Sequence, residues 1–321
     1  MIHRPPKDKG FALLIVLWVV SALAVMGLSL SFAARTETYG TLSYKESLQN
    51  RLLAECGVER AVVELLYRQA VMKAGKAEEI PVWRTDGTTY AVPLYNGFST
   101  VRITDESGKI DINQLTDISA IVLKTLLINA GADAGSADII ADSILDWRDE
   151  DELHRLSGAE SEYYMSLPIP YRAKNAPFDS VDELLLVRGV TPEILYGTPG
   201  RSGVAQFLTV RSPGAKINAN VAPLQVLLAI PGITSESLQN ILAWRESPGL
   251  KSASDLRQLM GDSYVQAGPY IAAGESPVFT VESTGYSEGG KKGFGVRAVV
   301  HVYPEGRYEY LYYKTRTGVT E

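Results

Sequence analysis

Twenty-four consecutive residues without a charge, FALLIVLWVVSALAVMGLSLSFAA at positions 11–34, constrain this chain more than any other feature in it. At 1.5 Å per residue the run can cross a hydrocarbon core of about 30 Å. The flank before it, MIHRPPKDKG, carries Arg4, Lys7 and Lys9 against Asp8. That bias keeps the short N-terminal end in the cytoplasm and sends everything after Arg35 outward, into the periplasm of a cell with two membranes. A cleaved signal peptide usually has a shorter apolar stretch and a sharper cleavage site than Gly27, Ser29 and Ser31 offer. Residues 35 to about 70 lack proline and set Leu48, Leu52, Cys56, Val62 and Leu66 near helical spacing. One helix is therefore expected to leave the membrane and continue into the soluble region, with Cys56 on its buried stripe.

The remainder is long enough to fold around its own core, since 45% of the 321 residues are hydrophobic. Lys and Arg number 31 against 37 Asp and Glu, so no general basic footprint for nucleic acid exists. A single cysteine excludes an internal disulfide and a multi-cysteine zinc site. There is no nucleophile elbow, HExxH pair or phosphate loop, so the chain reads as non-enzymatic. A carboxylate pair such as Asp151 and Glu160 could in principle act as acid and base, but nothing around it supplies a nucleophile. His154 lies among charges and is expected to be exposed.

Strand-like runs appear at 89–94, 98–104, 279–283, 293–303 and 308–313, the last two joined by Pro304-Glu305-Gly306 as a hairpin. They bracket a helical middle, and a small antiparallel sheet on the long helix with that middle inserted is the economical architecture. The middle repeats itself. KIDIN at 109–113 precedes ILDWRDE at 144–150, and KINAN at 216–220 precedes ILAWRES at 241–247. VDELLLVRGVTPEILYG at 181–197 likewise matches LQVLLAIPGITSESLQN at 224–240, each turning at a glycine, Gly189 or Gly232. Such turns resemble helix-hairpin-helix motifs that bind DNA phosphates. Residues 224–243 contain no lysine or arginine, and packing or protein contact is the favoured reading.

The most chemical stretch is DWRDEDELHRLSGAESEYY at 146–164, followed by PYRAKNAPFDSVDEL at 170–184. So many carboxylates cannot be buried unpaired. Calcium takes six to eight hard oxygens in flexible geometry and suits such a loop, although the order is not that of an EF-hand. Composition alone divides evenly between a solvated acidic face and a divalent-ion loop.

Lys9-Gly10-Phe11 before an apolar helix resembles the class III leader of type IV pilins and type II secretion pseudopilins. In that group a prepilin peptidase cuts after the glycine and the new N-terminal residue, here Phe11, is N-methylated. Most members carry glutamate at the fifth mature position, where this chain has Ile15, so the chain departs from the pattern in a way that suits a filament end with nothing above it. The run DW-x-D-x-D, Gly158-Ala159-Glu160 before Tyr163-Tyr164, Pro170-Tyr171 with Asn175 and Pro177, Val181–Leu184 before Arg188-Gly189, and the KIDIN and INAN segments resemble the K subunit of type II secretion, its large minor pseudopilin.

The resemblance implies an α+β fold, a pilin-like long helix on a small antiparallel sheet with an all-helical domain inserted into it. The parts would be a leader at 1–10, the transmembrane helix at 11–34, helix continuation and first strands at 35–105, the insert at 106–275 and the last strands at 276–321. It also implies bound calcium, one or two ions, with Asp149, Asp151, Glu160, Asn175 and Asp179 as oxygen donors. The implied role is to cap the periplasmic pseudopilus with other minor pseudopilins and start its assembly for export of folded proteins. Implied partners are those pseudopilins, prepilin peptidase, the inner-membrane assembly platform, and the secretin or the exported substrate, with no nucleic acid. A major-type pilus subunit or membrane-anchored adhesin is the alternative, and a helix-hairpin-helix DNA-binding protein a more distant one.

Overall fold

The computed structural model describes residues 9–74, 80–245, 252–274, 276–289 and 292–319. The leader lies outside them except for Lys9 and Gly10, which begin the first helix. That helix, α1 (Lys9–Lys73), is unbroken for 65 residues, about 98 Å at the standard rise. It is the one candidate span among the described residues, by length and composition, and no residue of its most apolar window is buried.

The soluble half of α1 lies on a five-stranded sheet of β1 (Asp86–Leu94), β2 (Gly97–Asp105), β9 (Val278–Ser287), β10 (Gly293–Val302) and β11 (Tyr308–Val319). The order is β1-β2-β9-β10-β11, antiparallel throughout. Alternate residues of the central strands point at the helix, so Val281, Val296, Ala298 and Val300 meet Ala54, Val58, Ala61, Val62 and Leu65 in one apolar core.

This contact corrects the expectation for Cys56, which is exposed. Leu48 and Leu52 share its side, at 45% and 54% exposure. The side that meets the sheet is instead the one carrying Ala54, Gly57, Val58, Ala61, Val62 and Leu65, rather than the row Leu48, Leu52 and Cys56. At Gly57 a Cβ would stand 2.2 Å from Ser283 Oγ and 2.6 Å from Ser99 Oγ. Both hydroxyls are buried without a partner. Gly57→Ala should cost about 1–3 kcal/mol through overpacking. Adding Ser99→Ala and Ser283→Ala should restore most of it, which denaturant unfolding of the three variants measures.

Strand register places the insertion. Asp105, where the chain leaves the sheet, is paired with Phe279, where it returns. Everything between can be added without disturbing the ladder. The near end of β2 lies beside Leu53, which a Cβ at Gly97 would approach to 2.7 Å. At its far end Asp105 N donates to Thr85 O, and Arg68 of α1 bonds Trp83 O. From residue 53 to 68 the helix rises about 22 Å, so the insert attaches at the end of the sheet farthest from the apolar run.

The insert has its own core. It holds α2 (Ala120–Asn129), α3 (Ala134–Arg148), α4 (Ser161–Met165), α5 (Pro192–Tyr196), α6 (Leu224–Ala229), α7 (Ser235–Arg245), α8 (Ala253–Met260) and α9 (Tyr264–Ala267). Helix dominates, but two-residue strands tie it together. β3 (Ile110–Asp111) pairs parallel with β6 (Leu208–Thr209), β7 (Ile217–Asn218) pairs parallel with β8 (Ile271–Ala272), and β4 (Gly197–Thr198) forms a small hairpin with β5 (Arg201–Ser202).

The sequence repeat is a structural repeat. Arg148 at the end of α3 donates to the carbonyls of Ile112 and Leu115. Arg245 at the end of α7 donates to those of Ala219 and Ala222, the same offsets counted from the start of KIDIN and of KINAN. Gly189 and Gly232 have φ of 83° and 82°, a region open to glycine and strained for other residues. A Cβ on either would meet neighbouring protein, Ile140 and Ile139 in one case and Gln266 and Ser263 in the other. These turns are packed against the fold, as expected of structural rather than phosphate-binding turns. The first helix of the 181–197 pair is 3-10 rather than α, over Val181–Leu186.

Candidate metal centre

The last turn of α3 presents Asp146, and Asp149 follows as the extended residue that caps the helix. The segment after it folds back and brings Glu160 against them. One oxygen from each of Asp146, Asp149 and Glu160 lies within 4.8 Å of the others. Asp146 is 0% and Glu160 4% exposed, so these charges share a poorly solvated space.

Hydrogen bonds divide the three by role. Asp146 is neutralised by Arg155, whose Nη1 lies 2.7 Å from its Oδ1 and whose backbone N also donates to it. The same guanidinium reaches Asp149 Oδ2 at 2.8 Å and Asp117 Oδ1 at 2.9 Å. Four other buried oxygens have no partner: Asp149 Oδ1, both carboxylate oxygens of Glu160, and Asn175 Oδ1. Asn175 belongs to the same structure. Its N donates to Trp147 O at 2.9 Å, and its side-chain amide to Glu152 Oε1 at 3.1 Å. Those donors fix the side-chain orientation, and its backbone adopts φ 48°, a left-handed conformation that asparagine tolerates better than most residues. Orphaned buried carboxylate oxygens are costly unless a cation joins them. The donors are all hard oxygens, which fits calcium or magnesium and not a thiolate- or imidazole-seeking metal.

The electrostatics agree with the geometry. Burial first, and then the charges of Asp146, Asp149, Glu152 and Asp151, push Glu160 up to about 8. Burial also raises Asp146, with Arg155 working against it. Gly158 permits the close fold-back, because a Cβ there would lie 1.8 Å from Asp146 Oδ2. Behind the cluster stands an aromatic wall in which Trp147 packs edge-on to Tyr164 at 5.0 Å and stacks on Phe178 at 6.4 Å.

Of the five donors expected from the sequence, Asp149, Glu160 and Asn175 supply the orphaned oxygens. Asp151 is exposed at the rim, with Oδ1 accepting from Leu153 N at 2.8 Å. Asp179 is held elsewhere, 90% exposed and bonded to Lys174 Nζ at 2.8 Å. Lys174 bonds both Asp179 and Glu183. His154 is exposed as expected. The sequence reading passed over Asp146 and Arg155 as a pair, and the signal available for it was an arginine in a run otherwise dominated by acids.

A family model described as type II secretion system (T2SS), protein K, matches residues 105–197. Type II secretion system protein K of Klebsiella pneumoniae is 28% identical over 200 residues, 59% of this chain and 60% of that protein. The protein K of Pectobacterium carotovorum subsp. carotovorum is 26% identical over 200 residues with the same coverage. That of Pseudomonas aeruginosa is 26% identical over 261 residues, 77% of this chain and 75% of that protein. The chain thus spans about 60% of the length of the first of these curated relatives. Among solved structures, a chain of the GspK-GspI-GspJ complex from the enterotoxigenic Escherichia coli type 2 secretion system superposes with TM-score 0.68 at 18% identity, covering 87% of this chain and 99% of that one. At that identity the likeness establishes the fold.

Proposed function

We propose, from the premise that this chain belongs to the type II secretion system protein K family, that it is a non-enzymatic minor pseudopilin capping the tip of the periplasmic pseudopilus. One observation carries the reading: the insert rides on the end of the sheet farthest from the membrane helix. In a close-packed helical fibre a bulky domain there has room only at the end. The related complex, which joins GspK with GspI and GspJ, supports two other minor pseudopilins as its immediate partners. Ile15, 48% exposed on α1, gives the subunit no carboxylate to pair with the amine of a neighbour above, and a terminal position requires none.

Cleavage after Gly10 and N-methylation of Phe11 would leave 28 basic and 36 acidic residues, net -8. The apolar helix would then start at the mature N-terminus, anchor the chain in the inner membrane before assembly, and leave the soluble part in the periplasm. Prepilin peptidase and the assembly platform are the partners at that stage. Calcium is the ion assigned to the acidic centre, with Asp149, Glu160 and Asn175 as the inner oxygens and Asp151 at the rim. Asp179 could join only by leaving Lys174. When bound, the ion supplies a structural cross-link between the 149–160 segment and the 175 segment.

Co-expression of the processed chain with the other two minor pseudopilins tests the assignment. A detergent-stable complex with one copy of each, by sedimentation or native mass, is the expected result, and a self-associating chain that excludes them would contradict it.

A further inference from the structure

The two apolar cores of this protein share no residue. What lies between them is polar. Both chain crossings, at 105–109 and at Gly274 and Ser276, meet the insert in a buried network of Asp105, Glu106, Ser107, Lys109, Thr209, Asn218, Ser276 and Thr280, none more than 9% exposed. Glu106 is its hub. It is ion-paired to Lys109 and accepts from Thr280 Oγ1 of β9 at 2.7 Å and from the Thr209 side chain of β6. One carboxylate thereby bonds the sheet and the insert together. Asn218 of β7 donates to Ser107 Oγ at 3.1 Å and to Gly274 O at 2.9 Å, joining the outgoing and returning strands. Asp105 holds the first crossing in shape by accepting from Ser107 N at 2.8 Å and Ser107 Oγ at 2.6 Å. Gly108 completes the contact, since a Cβ there would lie 2.8 Å from the Val221 and Ala222 backbone.

A buried ion pair is a poor source of stability, because desolvation offsets its attraction. Burial opposes the charge of Glu106, and Lys109 with the hydroxyl donors still holds it below its ordinary value. An apolar joint of the same volume would hold two domains together but would accept many orientations. A fully bonded carboxylate accepts one.

We infer that the Glu106 network is a weld that fixes the orientation of the insert on the pilin-like sheet, making the two cores a single rigid head. A push delivered along α1 then reaches the far side of the insert without being absorbed by a hinge.

The full-length chain carries one cysteine, Cys56, which is exposed and accepts a nitroxide. A second label through Leu228→Cys, at a half-exposed position of α6, allows the distance between head and helix to be measured by pulsed electron resonance in detergent. The otherwise unaltered doubly labelled chain should give one narrow distribution. Glu106→Gln/Lys109→Met keeps volume and removes charge, and should broaden the distribution about twofold while circular dichroism stays unchanged. Thr209→Val/Thr280→Val cuts the hub from insert and sheet but spares the ion pair, so it serves if the first variant fails to fold, and it should broaden the distribution in the same direction. A broad distribution before the network is altered, or an unaltered width in a folded variant, would overturn the inference.

Discussion

Glu160→Gln should abolish the stabilisation expected from calcium at the proposed centre. An ion present at a hundredfold excess over its Kd contributes about 2.7 kcal/mol to a protein that binds it only when folded. For a domain the size of the insert that is a rise in Tm of about 5–10 °C. The variant keeps the shape but loses the charge and replaces one acceptor oxygen by an NH2 donor, so its Tm should be the same in calcium and in chelator. The pH dependence has a definite sign. With Glu160 at about 8 in the ion-free fold against an ordinary 4.5, its contribution to stability is fully present below 4.5 and is lost as pH rises through 8. Calcium needs the carboxylate, so its binding displaces a proton below pH 8 and weakens as pH falls. The increment in Tm due to calcium should therefore be larger at pH 8.5 than at pH 5.5, and differential scanning calorimetry at the two values reads it directly. An increment independent of pH would separate Glu160 from the ion.

A bulky residue at Gly10 should have the largest effect in cells. Gly10→Val leaves the leader attached, so intact mass and terminal sequencing should find a chain beginning at or near Met1 rather than at N-methylated Phe11. Arg4, Lys7 and Lys9 then stay at the cytoplasmic end of the helix. Drawing any of them into the apolar interior of the bilayer costs about 2.5–3.5 kcal/mol on insertion scales. The helix cannot be lifted into a filament, and export of the folded cargo should fall to the level of a strain lacking the subunit.

The parts of the fold that the sequence displays are those with a local period. The uncharged run, the alternating strands around Pro304-Glu305-Gly306 and the KIDIN and KINAN echo all translate directly into α1, the β10–β11 hairpin and the paired Arg148 and Arg245 pins. Contact faces were harder to read. The helix turns Ala54, Val58, Ala61 and Val62 toward the sheet, with Gly57 at a point of close approach, so the buried row is not the one that would bury Cys56. In the acidic centre, Asp149 and Glu160 were legible as hard-oxygen donors from composition and family likeness. The split between Asp146, claimed by Arg155, and Asp149, left with a free oxygen, depends on how residues 150–160 fold back, and spacing carries no record of that. The Glu106 network is the least legible of all, since one of its hydrogen bonds joins residues 174 positions apart.

The most direct test of the central claim is position. Immunogold labelling of the insert on pseudopili assembled in cells should place this chain once per filament, at one end only. Labels repeating along the filament would contradict a cap and return the chain to a fibre subunit or surface adhesin.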